Sequence, residues 1–108
     1  MIVVTASSGK SLQITFEDAD GNPMPLTGYT VTLQGTSTDC AKQISSVGSI
    51  IDAPNGVVKW TGFGGLVLAS DLGTLADAVF DLQVKLADAG GLLDYGPRFN
   101  CTWTKPLL

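Results

Sequence analysis

The chain has 108 residues, 44% of them hydrophobic and only 15% charged, which suits one domain with its own core and leaves little charge for the surface. Its formal net charge is −4, and Lys10, Lys42, Lys59, Lys85, Arg98 and Lys105 are scattered, so the basic stripe that nucleic-acid binding requires is excluded. Histidine is absent, which removes the commonest general base and metal ligand, and no apolar run approaches the ~18 residues of a membrane-spanning helix. A small chain with so few charges is expected to hold apolar surface against a second copy or another protein.

In chain order, the start M-I-V-V-T-A-S-S-G-K lacks a basic region ahead of its apolar residues and reads as a first strand, residues 2–5, ended by the Ser7-Ser8-Gly9 turn. Residues 12–16 alternate, with Leu12, Ile14 and Phe16 on one side and Gln13 and Thr15 on the other, which predicts a half-buried strand. Turn chemistry follows in Asp20-Gly21-Asn22-Pro23, Pro25 and Thr27-Gly28, with residues 23–26 expected as a short return at a sheet edge, where proline is tolerated. Residues 29–34 alternate again, placing Tyr29, Val31 and Leu33 against Thr30, Thr32 and Gln34.

Residues 35–48 are rich in Ser, Thr and Gly and predict a long loop, with a weak strand or turn at 42–45. Residues 49–52 and 57–60 flank Ala53-Pro54-Asn55-Gly56, a hairpin signal in which Pro54 lengthens the loop beyond two residues. Gly62-Phe63-Gly64-Gly65 predicts a corner, and residues 66–78 a single helical turn between sheets. Residues 79–86 point Phe80, Leu82, Val84 and Leu86 inward, and residues 98–104 share a face among Phe99, Cys101 and Trp103. Between them, Leu92, Leu93 and Tyr95 lead to the Gly96-Pro97 break. The sum is about seven or eight short strands, predicting an all-β fold of two antiparallel sheets packed face to face, one domain over residues 1–108.

The candidate chemistry is thin. Asp18-Ala19-Asp20-Gly21-Asn22 imitates a calcium loop, but the sixth and twelfth positions hold Pro23 and Tyr29 where Gly and Glu are needed, so a turn is expected and no metal. Asp71, Asp77 and Asp81 have no spacing that defines a catalytic pair. The Gly62–Gly65 run lacks the Lys-Ser/Thr of a phosphate-binding loop, and no Ser or Cys has a His to activate it. A non-enzymatic protein without cofactor is therefore expected. Cys40 and Cys101 are either two thiols, the reading that a reducing compartment favours, or a bridge between sheets. Trp60, Phe63 and Tyr95, with Cys40 and Ile44 of the long loop, are the candidate partner contacts. A second reading makes Trp60, Tyr95 and the 35–48 loop a face for carbohydrate or a cell-surface ligand.

The phrase I-T-F-x-D-x-D-G-N-P-x-x-L-T-G-Y-T-V-T-L-Q, carried here by Phe16, Asp18, Asp20-Gly21, Pro23, Leu26-Thr27-Gly28 and residues 29–34, resembles the start of immunoglobulin-like β-sandwich modules of tailed-phage and prophage virion proteins. The nearest likeness is to the N-terminal domain of baseplate upper proteins. Phe80-Asp81-Leu82-Gln83-Val84 with the Gly90-Gly91 turn is similar to a strand that comes late in such modules, and the two segments cover about a third of the chain. The resemblance implies an immunoglobulin-like sandwich in a tail or baseplate, packing against itself or other tail proteins in the virion after synthesis in the host cytoplasm, without nucleic acid or membrane as partner.

Overall fold

The computed structural model describes residues 2–91 and 93–106; Leu92, expected ahead of Tyr95, lies outside them. The strands are β1 (Ile2–Thr5), β2 (Leu12–Thr15), β3 (Thr30–Thr36), β4 (Gln43–Val47), β5 (Ser49–Asp52), β6 (Val57–Trp60), β7 (Asp77–Ala87), β8 (Leu93–Tyr95) and β9 (Phe99–Thr104). A 3-10 turn (Phe63–Leu66) and the single helical turn α1 (Ala69–Leu72) join β6 to β7. The strands form two sheets, one in the order β1-β9-β7-β3-β4 with β8 also on β7, the other in the order β2-β6-β5. Their apolar faces meet in one core, so the expected all-β sandwich stands. The central pairs β7–β3 and β2–β6, contributed alternately to the two sheets, follow the connection pattern of immunoglobulin sandwiches.

Three expectations are corrected. One pair is parallel: β1 runs alongside β9, with Ile2 opposite Cys101 and Thr5 opposite Thr104. Strands so far apart in sequence need no tight turn between them, so either direction is open to them. The described residues carry nine strands, and half of the 35–48 segment is sheet, with a full strand where a weak strand or turn is expected at 42–45. β3 runs on to Thr36, a short loop turns at Ala41 (φ 53°), and β4 returns. Hydroxyl residues there face water from a sheet, a composition that a loop would share. Residues 23–26 form no strand; a lone bridge joins Glu17 and Pro23, and Leu26 is buried. The favoured reading of the cysteines holds: both are free thiols, Cys101 buried and Cys40 half-buried.

Two features hold the halves in register. Gly48 is the single residue between β4 in one sheet and β5 in the other, and its N–H donates to the Val31 carbonyl at 2.9 Å. A Cβ there would lie 2.5 Å from Val58 and 2.7 Å from the Trp60 ring, so only glycine lets the chain cross so close to the core. At the other end Trp103 packs on Phe80 and Phe63, with ring centroids 4.9 and 5.0 Å apart. Its indole N–H donates to the Gly64 carbonyl at 3.2 Å, which seats the glycine corner on the core.

Candidate functional site

Most of the acidic residues considered for chemistry are engaged structurally. Asp18 Oδ1 accepts the N–H groups of Asp20 and Asn22 at 2.9 and 3.0 Å, so its carboxylate builds the turn that it sits in. Asp71 pairs with Lys42 at 3.2 Å and accepts the Leu68 N–H at 2.8 Å; the backbone bond, ahead of the lysine, holds its carboxyl below the usual range. Asp81 pairs with Arg98, while Asp77 is exposed at the start of β7. Among the described residues no three His, Cys, Asp or Glu side chains gather as a metal site would require. Burial pushes the Cys101 thiol up to about 12, which keeps it protonated and unreactive at neutral pH.

Most of the candidate contacts turn inward. Trp60 and Phe63 are buried at 2% and 1% exposure, and the Trp60 indole N–H donates to the Ser46 carbonyl at 2.9 Å. Ile44 is buried beside Gly35, and Cys40 packs partly against the core. Tyr95 alone is open, at 52% exposure. The physical reason is the strand period: Trp60 falls in phase with Val58 on β6, so it joins the apolar face rather than the wet one. The glycines around Phe63 fold it back under Trp103.

Two surfaces remain. The first is an apolar cleft of about 580 Å³ lined by Ile2, Leu12, Gln13, Ile14, Phe99 and Asn100, where β2 overlies β1 and β9. β1 and β2 are the end strands of their sheets on this side. Neither I-V-V-T nor L-Q-I-T carries a charge, a proline or a bulge, the devices that protect an edge. In the constant-type immunoglobulin arrangement a first strand pairs with the strand equivalent to β2; here β1 belongs to the opposite sheet instead, and that edge stays open.

The second surface is the outer face of the larger sheet, which the registers resolve into rows. Val47, Thr32, Lys85 and Tyr95 form one row; Ser45, Gln34 and Gln83 the next; Gln43, Thr36, Asp81 and Asn100 the third. Beyond the end of β3, Val3, Thr102 and Val79 continue the face, and Asp39 Oδ2 accepts the Val79 N–H at 2.9 Å. The middle rows form the floor of an open trough of about 640 Å³, bordered by Tyr95 and Arg98. Three residues, Gly96 to Arg98, face two on β7, a bulge that lifts this border; the Gln83 amide donates to the Gly96 carbonyl at 2.9 Å and the Gly96 N–H to Val84.

Sequence reasoning identified Gln34 and Gln83 as outward-facing but had no means of joining them to Gln43, because that requires the β3–β4 register. Of the cleft residues, the alternation marks Leu12, Ile14 and Phe99 as inward-facing members of their own strands and Gln13 as outward-facing, and it has no means of bringing them together. No protein-family model and no curated protein matches this chain.

Proposed function

We propose that this chain is a non-enzymatic structural module that assembles by taking an extended segment of a neighbouring protein subunit onto the β2 edge. The single observation that carries this reading is the cleft: an unprotected strand edge set beside a groove lined by Ile2, Leu12, Ile14 and Phe99. An added strand would supply ladder hydrogen bonds to β2 and seat alternate apolar side chains in the groove, the usual mode of strand addition. The narrower assignment, a component of a phage or prophage tail or baseplate made in the host cytoplasm, is supported by the turn phrase of residues 14–34 and by Phe80–Val84.

Light scattering from micromolar to millimolar concentration, with co-purification against tail proteins encoded beside the gene, tests the reading. Association through the cleft is expected to be lost in Ile14→Lys and in Ile2→Asp while the circular dichroism of the folded monomer is retained. A chain that stays strictly monomeric and binds no such tail protein removes the proposal.

A further inference from the structure

We infer that the trough on the outer face of the larger sheet is a binding site for a neutral oligosaccharide, a site separate from the cleft and independent of its role. The floor presents the carboxamides of Gln34, Gln43 and Gln83 and the hydroxyls of Thr36 and Ser45, side by side in two adjacent rows. Each carboxamide offers donors and an acceptor from one plane, the complement of neighbouring sugar hydroxyls that also donate and accept. Of these five side chains, the Gln83 amide donates to the Gly96 carbonyl, and that bond fixes it across the floor. The Tyr95 ring stands at the border, half exposed, where the flat apolar face of a pyranose can lie against it.

The other ligand classes fit less well. A peptide that binds a sheet does so at an edge; under the trough floor only β4 is an end strand, whereas β3 and β7 are paired on both sides, so their backbone groups are committed to the ladders. An anionic polymer needs uncompensated cations; Arg98 is paired with Asp81, leaving Lys85 as the other cation of these rows, on a chain of net charge −4. A lipid or apolar drug-like molecule needs an apolar lining, and this floor is built from amides and hydroxyls. The trough is open rather than enclosed, and its floor spans β4, β3 and β7, so it suits several sugar units lying across the sheet rather than one enclosed ring.

The test is a panel of neutral gluco-, galacto- and manno-configured oligosaccharides, titrated into the whole chain labelled for amide NMR and followed by calorimetry. The expected result is binding by at least one of them, with shifts centred on the side-chain amides of Gln34, Gln43 and Gln83. Affinity is expected to fall about tenfold or more in Gln34→Ala/Gln43→Ala and in Tyr95→Ala. Lys59→Ala, on the outer face of the opposite sheet, should leave affinity unchanged. All these positions are half-exposed or exposed, and thermal melts confirm that each variant is folded. Absence of binding by every neutral sugar at millimolar concentration overturns the inference. So does sugar binding that the trough variants leave intact, or a response only to peptides or anionic polymers.

Discussion

Replacing Gly48 with alanine tests the sheet-to-sheet crossing directly. The new methyl carbon would lie 2.5 Å from Val58 Cγ1 and 2.7 and 2.9 Å from Trp60 Cε2 and Cζ2, all below contact distance, against side chains that are 0% and 2% exposed. Overpacking of this kind costs about 2 kcal/mol. If the indole shifts to make room, its bond to the Ser46 carbonyl weakens, adding about 1 kcal/mol. Alanine also restricts the unfolded chain, which offsets about 0.7 kcal/mol, since Gly48 does not occupy the left-handed region. The net loss is about 2 kcal/mol, or roughly 9 °C in Tm for a domain of this size. Urea unfolding followed by the fluorescence of the two buried tryptophans measures it. Gly21→Ala is the contrast: φ is 81° with open space around it, so only backbone strain acts, about 1 kcal/mol before the same offset. The double variant Gly48→Ala/Val58→Ala should be less destabilised than the sum of the single ones, because Val58→Ala removes the closest clash. A Gly48→Ala protein within about 0.5 kcal/mol of the parent, or strict additivity in the double variant, would refute the steric reasoning.

Other outcomes follow from the same contacts. At pH 8 a thiol reagent should modify Cys40 in the folded protein and spare Cys101 until denaturant is added, since burial holds the latter near 12; equal rates would contradict its burial. The Asp71 carboxyl titrates below its unfolded value, so its stabilisation is present above the ordinary carboxylate pKa and is lost as pH falls through the lowered one. Asp71→Asn should therefore lower Tm at pH 7 and match the parent once both carboxyl forms are protonated; a difference that persists in strong acid would show another cause. Asp18→Ala removes the acceptor for two turn N–H groups and should cost about 1 kcal/mol in chemical denaturation, with no change on adding calcium. Trp60→Phe keeps most of the packing, forfeits the bond to Ser46, and should cost about 1–2 kcal/mol without altering any binding at the trough.

Much of the architecture was legible because strand periodicity survives in single elements. Leu12 to Thr15, Val31 and Leu33, and Phe80 to Leu86 each announce which side is buried, and Asn55-Gly56 announces the β5–β6 hairpin. The single helical turn expected around Ser70-Asp71 is α1, which ends at Gly73 with φ 58°. The 35–48 segment misled because polar, hydroxyl-bearing strands on a wet face share their composition with loops. Gly35 adds to that loop-like composition, although its role is to make room for Leu82 and Ile44 across the ladder. The candidate contacts misled for a related reason: a tryptophan carries the same weight as a core anchor or as a docking residue, and only its phase on β6 separates them.

The residues alone determined the fold class, the turn at Asp18–Asn22 and most inward-facing positions, because these depend on neighbours one, two or a few residues away. The tertiary structure decided which strands lie side by side, and with that which residues meet in the two surfaces. β1 pairs with β9 and leaves the β2 edge uncovered, while Gln34, Gln43 and Gln83 meet from three separate strands. Strand pairing is set by the summed packing of two whole faces, a quantity that no local stretch of chain contains.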